Sequence, residues 1–315
     1  MKKFPLVVIV IVNWNKKEMT GDCLKSLKIT SYPNYKIILV DNGSKDGSID
    51  YLKGISDNLI ILKLSENKGY TVGTNQGWKY ALGKLKADYI CALDNDIVTV
   101  QKEWLTLLVA ELEKSAERGI ASGKHLFPNG ILQTPFEGIA TDEIYKRDEG
   151  KFDFVKEVDA FVGPCILIKK STIKKIGYYD ENFFYGPNDI DYCNRARKAG
   201  IKIVYNGFSK SIHLGSISGK SKGDWLFGKQ VEGMLIFTFR YGSFPAKIAM
   251  ILRQFIRAFV GRIDTLQRRR LSNLYFHKTF LIRIVYFIKG LINALENQKI
   301  IKTSNSNNTI EKWQK

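Results

Sequence analysis

Along the first hundred residues, short apolar runs alternate with amphipathic stretches, and most runs stop abruptly at a polar residue. Leu6 to Val12 is β-branched and reads as a strand, and Lys17 to Lys28 follows as a helix with Met19, Cys23, Leu24 and Leu27 on one face. Tyr35 to Val40, Leu59 to Leu64 and Ala87 to Leu93 read as further strands. Ser44 to Ile55, Tyr70 to Leu82 and Glu103 to Glu117 read as the helices between and after them. Strand and helix in alternation imply right-handed crossovers and a parallel sheet. Strands without polar positions imply a sheet covered on both faces. The expected fold class is therefore α/β.

The polar residues that end these runs fall into register. Asn13-Trp14-Asn15 follows the first strand, Asp41-Asn42-Gly43-Ser44 the second, Asn67-Lys68-Gly69 the third and Asp94-Asn95-Asp96 the fourth. Carboxyl ends of parallel strands share one edge of a sheet, which is where open α/β sheets bind ligands. Two carboxylates two residues apart repel each other unless a cation lies between them. Asp94 and Asp96 thus suggest a divalent metal holding a phosphate-bearing substrate, although the same residues also make ordinary acidic turns. Asp41 suits a base N–H or a ribose hydroxyl, or else a local turn with Gly43. There is no GxGxxG after the first strand and no GxxxxGK[ST], which argues against a nicotinamide cofactor or a P-loop.

Residues 119 to 157 contain Pro128, Pro135 and several glycines, and read as strands with an excursion loop. Cys165 to Ile168 is another strand and Ser171 to Ile176 a short helix ending at Gly177. Asn188 is a suitable N-cap for a helix running to Ala199-Gly200, with Asp189 in its first turn where the helix dipole favours a carboxylate. Asp189 and Asp191 point in different directions, so at most one faces the sheet edge. Ile201 to Tyr205 is a strand, and His213 follows it. Gly215 to Gly223 is small, flexible and basic, suited to closing over phosphates through Lys220 and Lys222, or to serving as a plain linker. No Ser-His or Cys-His arrangement stands out as a covalent nucleophile.

The segments VVIVIVNWN, VDNGSKDGS, ENKGYTVGTNQG and LDNDIV, the late stretch VGPCILIKKSTIKKIGYYDENFFYGPNDIDYC and SIHLGS occur in that order. Together they resemble the family 2 glycosyltransferases over roughly residues 5 to 220, and in particular rhamnosyltransferase-like members that build surface polysaccharides. The resemblance implies a GT-A fold, a nucleotide-diphosphate-sugar donor, a divalent metal (Mg²⁺ or Mn²⁺) and an inverting transfer. By position it implies that Asp41 contacts the nucleotide base, that Asn15 and Asn67 lie in the nucleotide pocket, and that Asp94 and Asp96 form the DxD motif. Asp96 is then the metal ligand and Asp94 its support on the donor; Asp189 is the catalytic base; and His213 helps hold metal or diphosphate. Asn188 stands where the family often has Glu, which bears on acceptor contacts more than on the base.

The net charge of +18 predicts an anionic partner. From Arg240 to Lys302 thirteen basic residues face only Asp264 and Glu296. Ala246 to Ile263 fits a basic amphipathic helix, and Phe280 to Leu295 a more apolar one broken by Arg283 and Lys289. Such helices suit an anionic membrane surface, or packing on a partner subunit. No uncharged run approaches the ~20 residues of a membrane span. The N-terminal apolar run lacks a cleavage site and reads as a strand rather than a signal peptide. The four cysteines form no CxxC pair, and three of them sit in apolar or helical patterns and read as buried thiols.

The expected organisation is a GT-A domain over 1–232, a membrane-associating basic helical region over 233–302 and a disordered tail over 303–315. The expected location is cytoplasmic, peripheral on the inner face of the cell membrane. A glycan or lipid-linked acceptor fits that location, and the oligomeric state stays open. Two other classes compete. A sugar-phosphate nucleotidyltransferase lacks its Gly-rich basic loop after the first strand. A nucleic-acid-binding protein has only charge in its favour, because the basic residues are interleaved with aliphatic runs rather than stacking aromatics.

Overall fold

The computed structural model describes residues 4–55, 59–133, 146–161, 163–215, 224–260 and 280–306. The chain divides into two compact units. The first comprises Met1–Glu181 with Asn188–Gly219, and the second Asn182–Pro187 with Lys220–Lys315.

In the first unit, β1 (Val7–Asn13), β2 (Tyr35–Asn42), β3 (Leu59–Leu64) and β4 (Tyr89–Leu93) alternate with α1 (Lys17–Leu27), α2 (Ser48–Leu52) and α3 (Tyr70–Gly83). Side chains along a strand point to alternate faces. Val7, Ile9 and Ile11 of β1 pack in a core with Leu24 and Leu27 of α1, whereas Val8 and Val10 pack in a second core with Trp78 and Ala81 of α3. Both faces are covered, which is why β1 needs no polar position.

After β4 come β5 (Ile97–Thr99), α4 (Trp104–Glu113), β6 (Arg118–Leu126), β7 (Val155–Val158), β8 (Cys165–Lys169), α5 (Lys170–Ile176), α6 (Asn188–Lys198) and β9 (Lys202–His213). The sheet order is β3-β2-β1-β4-β8-β6-β9-β5, with β7 also on β9. The expected parallel pattern holds for β1, β2, β3 and β4, and again for β6 with β9. β8 is antiparallel to β4 and β6, while β5 and β7 are antiparallel to β9. The helix expected to run to Glu117 ends at Glu113, because Arg118 already begins β6 and pairs with Lys202. The strand expected to end at Tyr205 runs on to His213.

Two of these pairings build the site. β8 enters opposite the end of β4, where Leu93 pairs with Cys165, and the Asp94 N–H donates to Pro164 O at 2.7 Å. β5 lies against the end of β9 with Ile97 opposite His213. The turn Asp94-Asn95-Asp96 is therefore held between the mouth of β8 and the last residue of β9.

The second unit contains α7 (Asp224–Tyr241), α8 (Phe244–Val260) and α9 (Phe280–Ser306) around a core that includes Phe183, Val231, Leu235, Phe287 and Ala294. Arg283 of α9 pairs with Asp224 of α7 at 2.8 Å. The domain boundary expected at 232 falls inside continuous α7, and the division into units falls instead between Gly219 and Lys220. The tail expected from 303 begins as helix, since α9 continues to Ser306.

Candidate active site

The polar ends of β1 and β2 are tied together below the acidic turn. Asp41 is 2% exposed. One of its oxygens accepts from Asn13 Nδ2 at 3.0 Å and the other from the Ser44 N–H at 3.1 Å. Asn13 Oδ1 accepts from Thr20 Oγ1 at 2.7 Å, and Thr20 Oγ1 accepts from Asn95 Nδ2 at 2.9 Å. A continuous chain of hydrogen bonds thus runs from Asp41 to the middle of the acidic turn. Asn15 accepts from the Lys45 N–H at 2.7 Å, which fixes the loop after β2. Asn67 Oδ1 accepts from Asn42 Nδ2 and the Gly69 N–H, both at 3.0 Å, which fixes the entry to α3. Gly43 is required here: its φ is +75°, and a Cβ would lie 2.5 Å from Glu66 Cα.

Asp94, Asp96 and His213 present one ligand atom each within 4.8 Å of one another, the one such group among the described residues. Burial first, then the Asp96 charge, push the Asp94 carboxyl up to about 7. The Tyr70 hydroxyl and His213 oppose that rise, and Asp189 adds to it. Asp96 Oδ1 is buried and accepts no hydrogen bond. His213 Nε2 approaches that oxygen to 3.2 Å, close enough for charge interaction but without hydrogen-bond alignment. An orphaned carboxylate oxygen, a second carboxylate held above its usual range and an imidazole form a donor set that fits a divalent cation such as Mg²⁺ or Mn²⁺.

Asp189 stands in the first turn of α6. Its Oδ2 accepts from the Gly163 N–H at 3.2 Å and its Oδ1 from the Ile190 N–H at 2.9 Å. Its charge is felt by Asp94 and by Tyr179, so it shares the field of the acidic turn. Asp191 is fully buried and pairs with Arg195 at 2.9 Å. Arg195 also donates to Ile176 O and Tyr178 O, so Asp191 anchors α6 and is not a site group. Lys220 and Lys222 lie outside the described residues.

Several groups carried no sequence signal. Tyr70 opens α3 and faces Asp94. A Cβ at Gly215 would lie 1.6 Å from Asp96 Oδ2, so this glycine lets the chain pass against the carboxylate. Gln133 Oε1 lies 2.8 Å from His213 Nδ1. His125 Nδ1 lies 2.7 Å from Ser211 Oγ, a Ser-His contact that their spacing in the sequence does not announce. Both residues are buried, and burial followed by the His213 charge holds the His125 ring down to about 3, so it is a neutral packing group and not a base. All four cysteines are buried, where three were expected to be.

Residues 8–177 match the sequence profile of glycosyl transferase family 2, more than half of the chain. The chain belongs to that family. The match ends before Asp189 and His213. Among its relatives is the low-salt glycan biosynthesis hexosyltransferase Agl10 of Haloferax volcanii, 29% identical over 65% of this chain and 66% of that protein. Another is the poly-beta-1,6-N-acetyl-D-glucosamine synthase of Staphylococcus aureus, 25% identical over 63% of this chain and 47% of that one. The chain thus spans less than two thirds of these relatives' length. Its fold is similar to that of mannosyltransferase PcManGT from Pyrobaculum calidifontis, solved with GDP-Man and Mn²⁺. The TM-score is 0.55 and the identity 11%, over 98% of this chain and 77% of that one.

Proposed function

We propose that the protein moves a hexose from a nucleoside-diphosphate sugar to a hydroxyl of a glycan or lipid-linked acceptor, with inversion. The observation that carries this reading is the convergence of Asp94, Asp96 and His213 beside Asp189 at the sheet edge. A divalent metal, Mg²⁺ or Mn²⁺, would be held by Asp96 and His213 with Asp94 in support, and when bound would neutralise charge on the departing diphosphate. Asp189 takes the proton from the acceptor hydroxyl as it attacks the anomeric carbon. Its two backbone donors keep the carboxylate oriented for that step. Asp41, Asn15 and Asn67 shape the donor pocket: their hydrogen bonds set the loops after β2 and β3, and Asp41 keeps the acceptor capacity for one base contact. Lys220 and Lys222 are proposed to add positive charge over the diphosphate.

The sugar stays open. The named relatives and neighbour differ in the sugar their names carry, so the rhamnosyl resemblance does not fix it. A panel of nucleotide sugars, incubated with Mn²⁺ and resolved by product, is the test. Metal-dependent release of nucleoside diphosphate is expected; release of pyrophosphate would instead identify a nucleotidyltransferase. Asp189→Asn is expected to lower transfer by at least about 10²-fold while donor affinity, read by calorimetry, changes little. Near-normal turnover in that variant would reject Asp189 as the base.

The acceptor and the location are proposed together. Among the described residues no helix is long and apolar enough to cross a membrane. α8 and α9 nevertheless expose large apolar side chains at helical spacing, including Ile248, Leu252 and Phe255, and Val285, Ile288 and Ile292. Peripheral attachment to an anionic membrane surface, on the cytoplasmic face, suits that pattern and a lipid-linked acceptor.

A further inference from the structure

We propose that Gln133 is a positioning residue for the metal site, and that it fixes which nitrogen of His213 is offered to the cation. The inference rests on the metal reading above and adds a residue to it. β9 places Ser211 and His213 two residues apart, so their side chains leave the same face of the strand. Ser211 meets His125, and His213 reaches the acidic turn with one nitrogen and Gln133 with the other. The Nδ1 to Oε1 distance of 2.8 Å is that of a good hydrogen bond.

An amide oxygen can only accept, so this contact places the ring proton on Nδ1. Nε2 is then the unprotonated nitrogen, and it stands 3.2 Å from Asp96 Oδ1. Two acceptors facing each other in a buried setting repel, and a cation between them removes the repulsion. That accounts for a carboxylate oxygen left without a hydrogen-bond donor although an imidazole stands beside it. Metal-bound histidines generally need such an outer partner to fix the tautomer and ring orientation.

Gln133 is well placed for this task. Its own N–H donates to His125 O at 3.0 Å, just past the tight turn in which the Phe127 N–H donates to Ile131 O at 2.8 Å. The neighbouring Leu132 is buried and bridges Leu126 at the end of β6. The side chain is thus carried on backbone fastened to the same strand pair that carries His213.

The test is Mn²⁺ titration of the full chain, read by the EPR signal of free ion, for the wild type, Gln133→Leu and Gln133→Glu. Gln133→Leu removes the acceptor and is expected to weaken Mn²⁺ binding about 10- to 100-fold. Gln133→Glu keeps an acceptor and is expected to bind within a few-fold of the wild type. Equal affinity of the leucine variant would overturn the proposal. So would a glutamate variant as weak as the leucine one, because the amide would then be donating to Nδ1 through its NH₂. Nitrogen-15 spectra of the histidine rings in the metal-free wild type give a reading that needs no Gln133 variant, with His213 assigned by its loss in His213→Asn. A proton on Nδ1 supports the assignment, and one on Nε2 overturns it. A wild type that binds no Mn²⁺ would overturn the metal reading and this proposal with it.

Discussion

At Gly215 a single hydrogen in place of a side chain decides where a carboxylate sits. A Cβ there would meet Asp96 Oδ2 at 1.6 Å and Cγ at 2.7 Å, while the neighbouring Leu214 N–H holds Asp96 O at 2.8 Å. The backbone cannot retreat without breaking that bond, so the carboxylate must move. Gly215→Ala is therefore expected to cost roughly 10²-fold in transfer, the usual penalty for a displacement of about 1 Å at a reacting centre. Mn²⁺ affinity should fall as it does in Asp96→Ala. Unchanged Mn²⁺ titration in either variant would refute the role given to Asp96. The acidic pair and Asp189 were legible in the sequence because carboxylates at strand and helix ends stand out. Gly215 was not, because close approach leaves no compositional trace and the segment read as a flexible basic loop for phosphates or a plain linker. His125 yields a second prediction. Burial and His213 hold its ring down to about 3, against 6.5 for a free histidine. Above 6.5 both folded and unfolded states carry it neutral, and it adds nothing. Between 6.5 and about 3 the unfolded chain takes up a proton that the folded one refuses, so stability falls as pH falls, by about 1.4 kcal/mol per pH unit. Urea midpoints from pH 6.5 to 4.5 should fall less steeply in His125→Gln than in the wild type.

At the scale of elements, the site depends on how closely α3 lies on the sheet. Gly77 faces β1, and a Cβ there would stand 2.3 Å from Val10 Cγ1 and 3.2 Å from Val40 Cγ2. Both valines are held in the core, so α3 would have to lift, carrying Tyr70 with it. Gly77→Ala is expected to destabilise by about 1–3 kcal/mol, as overpacking does, despite the higher helix propensity of Ala. A denaturant midpoint equal to or above that of the wild type would contradict this packing account. The alternation of β1 to β4 with their helices was legible because strands covered on both faces are written as unbroken apolar runs, Val7 to Ile11 and Ile37 to Val40, with amphipathic stretches between them. The reversal at β8 was not. An antiparallel strand buried on both faces is as apolar as a parallel one, and Cys165 to Lys169 carries no mark of direction. Yet that reversal brings Gly163 to Asp189 and Pro164 to Asp94.

At the scale of the whole chain, charge decides what the exposed apolar stripes of α8 and α9 can meet. On α8, Phe244, Ile248, Leu252 and Phe255 recur every three or four residues, and on α9 Leu281, Val285, Ile288, Ile292 and Leu295 do the same; all are exposed. Such spacing also suits helix pairing, and a second copy of the chain is the natural competitor to a bilayer. The two occupants differ in charge. Between Arg240 and Lys302 the chain carries thirteen basic residues against two acidic ones, so a second copy would bring like charge to like charge. An anionic bilayer would bring the opposite, at ~1 kcal/mol per basic residue near its surface. The amphipathic pattern of α8 was legible in the sequence, but which of its residues would be covered by α7 and α9 was not, because that depends on three helices meeting. The full chain should float with phosphatidylglycerol vesicles and remain unbound to phosphatidylcholine ones, with binding weakening as salt rises. Arg253→Gln with Lys289→Gln, both on the exposed surface, should weaken binding roughly 30-fold, the equivalent of ~2 kcal/mol. Leu252→Ser with Ile288→Ser should weaken it even at low salt, because apolar burial is screened little. If those serine changes instead abolish a concentration-dependent dimer seen by sedimentation, and vesicles never bind, the stripes join two copies of the chain and the proposed membrane location is wrong.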